Sequence, residues 1–354
     1  MIVAIIGAGN GGQAVAGSLA LAGHRVRLHD IDPSQVEPIA KRGGITAIGH
    51  LVRGFASVEY AGTDVAAAVL DAELVMVVVP GAAQAEAVEA LAPHLGEGVP
   101  VVLHPGCTGG ALECARTLRA SPVAETDAFL YACRLIEPGT TQIMAIKSQI
   151  RVGVTPAAET GRVVAQLRRL IPQAQPAASV LETSLANMNA MLHVGPMLAN
   201  AGRVENRDAS FEFYGEGITP SVAQLVERVD EERLDVCGAL GVAALTLREW
   251  IEQTYGVRGE SLHDAIQRLN RTVYASSPAP ATLEHRYLTE DVPAGFVPLE
   301  ALGHAAGLPM ETVGALVTIA SAALDRDLRV SGRTAERMGL EGLDANGLRR
   351  LVSN

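Results

Sequence analysis

Near the N-terminus, Gly7-Ala8-Gly9-Asn10-Gly11-Gly12 sets glycine at the spacing G-x-G-x-x-G. The first glycine permits a tight turn, the second lets backbone approach a ligand, and Gly12 allows a helix to pack closely on a strand. A helix opening on such a turn offers free N–H groups and the positive end of its dipole, the chemistry that holds a pyrophosphate. Asp30 follows at the distance where a carboxylate accepts hydrogen bonds from both adenosine ribose hydroxyls. That carboxylate would repel a 2′-phosphate, and Ile31-Asp32 brings no arginine, so NAD is favoured over NADP even with Arg25 and Arg27 nearby. Gly7, Gly9, Asn10, Gly12 and Asp30 are thus read as a dinucleotide site.

Two further loops carry the same kind of signal. Val79-Pro80-Gly81 and His104-Pro105-Gly106-Cys107-Thr108-Gly109-Gly110 each end an apolar run. In open α/β folds ligands lie along the carboxyl edge of the sheet, so Pro80, Pro105 and Gly106 are expected beside the cofactor, the second loop near the nicotinamide. In the second half, Asn189 and His193 stand four residues apart, hence on one helical face, and Asn200 would share it on a continuous helix. Pro196 is expected to bend or restart that helix just beyond His193. A lone histidine among apolar residues is by default a core residue, and spacing alone does not promote it to a catalyst.

The elements that must hold these groups alternate. Residues 2–6 form a β-branched run before the glycine cluster, and 13–22 read as a small-residue helix. Residues 24–30 alternate into a second strand, and Pro33 opens a helix that stops at Gly43-Gly44. The uninterrupted apolar run 74–79 suits a strand buried on both faces; helix 82–91, strand 101–104 and helix 110–118 follow. Such alternation argues for an α/β, Rossmann-type, doubly wound parallel sheet. Extended stretches over 129–154, broken at Pro138-Gly139, read as antiparallel additions to that sheet. From Thr183 onward the periodic segments are helical, notably 221–239, 243–255 and 310–325. The expected domains are a dinucleotide-binding domain over 1–182 and an all-helical domain over 183–354.

Composition narrows the function class. The 354 residues are 48% hydrophobic and 19% charged, enough for two packed cores. A formal net charge of -11 without a long basic run argues against a nucleic-acid partner, whose phosphates need a cationic face. Cys107, Cys114, Cys133 and Cys237 show no CxxC and no paired spacing with histidine, which fits a reduced cytoplasmic protein without a metal centre. Residues 2–23 carry no charge, yet the polar and glycine residues of the loop interrupt them, so no membrane segment is expected. Lysine occurs only as Lys41 and Lys147.

Several motifs in a fixed order resemble the opine dehydrogenase family, of the octopine/nopaline dehydrogenase kind. They are His285-Arg286-Tyr287-Leu288-Thr289-Glu290-Asp291-Val292-Pro293 with Gly295-Phe296-Val297-Pro298-Leu299, the segment 189–193 with Pro196, the segment 105–113, Gly215-Glu216-Gly217-Ile218-Thr219-Pro220-Ser221-Val222, and Gly332-Arg333-Thr334. The resemblance runs nearly end to end. It implies a Rossmann domain and a helical domain with the active site in the cleft between them. It implies His193 as acid/base, Asp291 as its orienting carboxylate, Asn189 and Arg286 as substrate-side groups, and a homodimer. Two positions depart from the pattern: Val194 stands where relatives carry proline, and His104 where they carry asparagine.

The implied reaction joins a 2-oxo acid to the amino group of an L-amino acid and reduces the resulting imine with NADH. A histidine near neutral pKa can take a proton from the amine and return one to the departing hydroxyl. A buried aspartate fixes its tautomer, and an arginine fork holds a carboxylate. Ketopantoate reductase-like and hydroxyisobutyrate dehydrogenase-like proteins share the two-domain plan but use a lysine of the helical domain, which this chain lacks. A hydroxyacyl-CoA or hydroxy-acid dehydrogenase is the alternative enzyme, and a non-catalytic NAD-sensing protein the alternative outside enzymes.

Overall fold

The structure, a computed structural model, describes residues 1–206, 210–273 and 277–353. The chain divides into two compact units. One runs from Met1 to Ser184 and includes the last residues from Val352; the other runs from Leu185 to Leu351.

In the first unit, β1 (Ile2–Ile6) leads through the glycine turn into α1 (Asn10–Leu21) and β2 (Arg25–His29). Helix α2 (Pro33–Arg42) starts where the Asp32 carboxylate accepts the Ser34 N–H and stops at Gly43 in the left-handed region. Then come β3 (Gly44–Ile48), β4 (Gly54–Ser57), β5 (Tyr60–Gly62), α3 (Val65–Val69), β6 (Leu74–Val77), α4 (Gln84–Leu91), β7 (Val101–Leu103), α5 (Gly110–Ala115) and β8 (Val123–Thr126). The unit closes with β9 (Tyr131–Glu137), β10 (Thr140–Ile146), β11 (Ile150–Thr155), α6 (Thr160–Arg168), β12 (Ala174–Pro176) and α7 (Val180–Ser184).

Eight strands form the main sheet in the order β12-β11-β8-β7-β6-β1-β2-β5. All neighbours are parallel except β11, which runs antiparallel to β8. The chain leaves β1 toward β2 and returns on its other side as β6, so the order reverses at β1, the kind of switch point at whose carboxyl ends open α/β sheets bind ligands. Val3, Ile5, Val26, Leu28, Leu74, Met76 and Val102 lie fully buried beneath that edge.

The expectation for 129–154 holds only in part. β11 does join the main sheet, but the hairpin β9–β10 belongs to a separate sheet, ordered β4-β3-β10-β9. Its partners β3 and β4 come from a stretch that carried no strand signal in sequence, because Ile45 and Ala47 pack inward on Gly17 of α1 while Phe55 stays exposed. A sheet with one short buried face shows too few alternations to read.

The second unit holds α8 (Met188–Ala199), α9 (Ala201–Glu205), α10 (Pro220–Leu240), α11 (Leu247–Tyr255), α12 (Leu262–Asn270), α13 (Arg286–Thr289), a π-helical turn over Val292–Phe296, α14 (Val297–Ala305) and α15 (Glu311–Ala323), with shorter helices after them. Strand pairing among its described residues is the isolated bridge Glu212–Pro278. Helix α11 starts four residues later than its apolar pattern suggests, at a capping box made by Thr246 and Glu249. Pro196 does not break α8, which runs unbroken to Ala199; every residue from Ala190 to Met197 is buried, and that packing outweighs one lost backbone hydrogen bond. Buried Arg233 of α10 donates to the Asp230 carboxylate and to the carbonyls of Leu185 and Leu245, fixing the approach to α8. No helix of the described residues is long and apolar enough to cross a membrane.

Candidate active site

The glycine loop is built by its neighbours. Gly7 has φ +104, and a Cβ on Gly12 would lie 1.7 Å from the Gly7 carbonyl oxygen, so both positions require glycine. A Cβ on Gly9 would meet nothing within 4 Å, so open space faces the turn where a pyrophosphate would approach. No side chain caps α1, and its first turn holds no acidic residue. Its N–H groups remain available to an anion.

Asp30 directly follows β2, with one carboxylate oxygen on the Ala8 N–H at 2.6 Å and the other on the Asp32 N–H at 3.0 Å. A carboxylate has about four lone-pair sites, so two remain for ribose hydroxyls. Arg25 and Arg27, which could have served a 2′-phosphate, both pair with Glu59, and Arg27 also donates to the carbonyls of Ala67 and Leu70.

Asn10 lies in the loop as expected, but its side chain is bound to β9: Oδ1 accepts the Leu135 N–H at 2.6 Å and Nδ2 donates to the Cys133 carbonyl at 3.3 Å. Only its backbone is left to face a cofactor. Fully buried Gln13, which sequence reading passed over, donates to the Ala8 carbonyl and accepts the Gly139 N–H. The small sheet thereby clamps the glycine loop.

Pro80 precedes the 3-10 turn Gly81–Ala83, and the Pro105 carbonyl accepts from buried Gln84 at 2.7 Å, so the two loops are joined. Gly106 donates its N–H to the Thr126 carbonyl. The far end of this loop is tied to α7 through Glu125, which has no exposure. Oε1 accepts from Thr183 and Ser184 at 2.8 and 2.6 Å, Oε2 accepts the Ala111 N–H at 2.8 Å, and the Gly109 N–H donates to Ser184. A single acid in the run Val123-Ala124-Glu125-Thr126 was the available clue.

His104 is buried beside Phe129, and burial holds its imidazole down to about 3. The Leu130 N–H donates to Nε2 at 3.3 Å, which leaves the proton on Nδ1 to donate to Thr126 Oγ1 at 2.8 Å. The ring is a neutral structural link.

In the second unit α8 presents His193 to Asp291, two residues past the end of α13. Nδ1 lies 2.7 Å from Asp291 Oδ2, with both side chains under a tenth exposed. Asp291 stands at the entry to the π-helical turn, its N–H bonded to the Arg286 carbonyl. Nε2 lies 3.0 Å from the Tyr214 hydroxyl, and the Tyr287 ring stacks on the imidazole at 3.8 Å and 17°. Neither tyrosine was given a role from sequence, although Tyr287 lies inside one quoted motif and Tyr214 directly precedes another. Asn189 lies one turn before His193 and is exposed. Arg286 pairs with Glu290 at 3.3 Å and keeps 57% of its side chain exposed. Asn200 donates to the carbonyls of Pro196 and Gly217.

Comparison with known proteins follows the same division. Residues 176–324 match the NAD/NADP octopine/nopaline dehydrogenase alpha-helical domain, and residues 3–153 match ketopantoate reductase PanE/ApbA. An opine dehydrogenase from Arthrobacter sp. (strain 1C) is 38% identical over 99% of this chain and 98% of its own. Octopine dehydrogenase solved with NADH and L-arginine shares the fold at TM-score 0.83 and 20% identity, over 98% of this chain and 97% of the other. Yersinopine dehydrogenase with NADP+ bound does so at TM-score 0.73 and 16% identity, over 99% and 97%.

Proposed function

This chain belongs to the opine dehydrogenase family, and on that footing we propose that it joins pyruvate to an apolar L-amino acid of the norvaline kind, with NADH as preferred donor and His193–Asp291 as its proton-transfer pair. The activity is the NAD(P)H-dependent reductive condensation of an oxo acid with an amino acid. The buried 2.7 Å contact between His193 and Asp291 carries the assignment of roles. A carboxylate on Nδ1 leaves Nε2 as the basic nitrogen and stabilises the imidazolium formed when it takes a proton.

The order of events follows from the reactants. An amine adds to the oxo-acid carbonyl to give a carbinolamine, which must lose water before reduction. His193 accepts the amine proton and later returns one to the hydroxyl that leaves. Asn189 on α8 and Arg286 on α13, both exposed, are suited to bind carboxylates. The glycine loop, the uncapped start of α1 and Asp30 would hold the dinucleotide, which when bound supplies the hydride. NADH is favoured because Asp30 directly follows β2 while Arg25 and Arg27 are committed to Glu59. The pyruvate and norvaline-type pair is what a resemblance of the sequence to the bacterial N-(1-D-carboxyethyl)-L-norvaline dehydrogenase implies. Screening NADH and NADPH oxidation against a matrix of 2-oxo acids and L-amino acids tests both choices; best turnover with a charged amino acid or with NADPH would refute the respective one.

A further inference from the structure

We propose that Tyr214 is a further catalytic residue, its phenol carrying protons between His193 and the reacting nitrogen and oxygen of the substrates; this rests on the His193–Asp291 reading above. With Nδ1 donating to the Asp291 carboxylate, the neutral ring offers Nε2 as an acceptor, and the Tyr214 O–H, 3.0 Å away, is its donor. The nitrogen that must exchange protons with substrate is therefore already bonded. Substrate must either displace the phenol or pass its proton through it.

The surroundings favour passage. Gln267 donates to the carbonyls of Tyr214, Gly215 and Ile218 at 3.4, 2.9 and 3.3 Å, and Asn200 donates to that of Gly217 at 2.8 Å. Asn200 caps α8, so this bond registers the Tyr214 turn against the helix that carries His193. The turn is also tight: a Cβ on Gly217 would lie 2.3 Å from the Phe213 carbonyl oxygen. The Tyr214 ring is 6% exposed and packs edge-on against Phe213 at 5.1 Å. Moving it aside would open a void next to the imidazole, which Tyr287 stacks from another side.

The proton balance closes. The substrate ammonium gives a proton to Tyr214 Oη as the tyrosine proton moves to His193 Nε2, leaving a free amine and an imidazolium. The amine adds to the carbonyl carbon, one N–H proton going to the carbonyl oxygen. The imidazolium then returns its proton through Tyr214 to that hydroxyl; the C–O bond breaks, the nitrogen lone pair forms C=N, and water departs. Tyrosine and histidine end as they began, and the iminium takes the hydride.

The test is a mutant cycle of Tyr214→Phe, His193→Ala and the double variant, assayed with NADH, pyruvate and L-norvaline at saturation, with NADH affinity measured by fluorescence titration. Tyr214→Phe keeps the ring packing and should lower kcat by about ten- to a hundredfold at unchanged NADH affinity, and the double variant should be no slower than His193→Ala. Tyr214→Phe within threefold of native kcat, or a double variant well below His193→Ala, overturns the relay and leaves the dyad intact. A near-native His193→Ala would instead refute the dyad itself. Independently of folding, kcat of the native enzyme in H2O/D2O mixtures should fall along a curve, as two protons move together; a linear or flat dependence overturns the relay.

Discussion

Asp30 and Ala8 are joined by a 2.6 Å hydrogen bond from the Ala8 N–H to the carboxylate. The acid at the end of β2 and the glycine loop after β1 are thereby one unit, so a change at Asp30 reaches the cofactor in two ways. It removes a ribose acceptor, and it releases a backbone amide of the loop.

Replacing Asp30 with Ala should therefore lower kcat/KM with NADH by about ten- to a hundredfold, as loss of charged hydrogen bonds does, and lower it less with NADPH. Steady-state kinetics with both donors reads the effect directly. Equal losses on the two would mean that Asp30 serves the loop alone.

His193→Ala should reduce kcat by about two to four orders of magnitude while NADH still binds, because its partners lie in the helical unit. Asp291→Asn should also be severe, since the amide cannot stabilise an imidazolium. Near-native turnover in both would make the 2.7 Å pair a structural contact only.

His104 should make stability sensitive to acid. Its imidazole is held down to about 3 by burial, against about 6.5 in an unfolded chain. Between those values the unfolded state binds the proton and the folded state does not. The contribution is thus full above about pH 6.5 and is lost as pH falls toward 3, at up to about 1.4 kcal/mol per pH unit. His104→Asn, which removes the titrating ring, should lose less stability between pH 7 and pH 5 than the native protein in urea unfolding. The lowered values at His24, His29 and His285 are common to both and cancel. Parallel pH dependences would show that His104 does not stay neutral.

Glu125→Ala would strip acceptors from Thr183, Ser184 and the Ala111 N–H inside a site with no exposure. Unfolding free energy should fall by about 2–4 kcal/mol, as buried donors lose their partner. A loss under about 0.5 kcal/mol would mean that water replaces the carboxylate.

What the sequence made legible was local. The G-x-G-x-x-G turn, the strand before it and Asp30 lie within thirty residues, and each signal is a short-range rule of turn, period or charge. Helical spacing placed Asn189 and His193 on α8, but Asp291 is 98 residues from His193, and only the family resemblance joined them. Tyr214, Gln13, Gln84 and Glu125 escaped for the same reason: each acts through a contact distant in sequence, and a buried polar side chain looks like any other until its partner is known. The strands β3 and β4 and the continuity of α8 through Pro196 were decided by packing, which overrides local preference.

The most direct test of the reaction is whether an amine is required. With pyruvate alone, NADH oxidation should be negligible; adding L-norvaline should raise it along a saturating curve. The product should be a secondary amine with the mass of oxo acid plus amino acid less one oxygen. Rapid oxidation without any amine, yielding the hydroxy acid, would contradict an imine-reducing enzyme and leave a plain hydroxy-acid dehydrogenase.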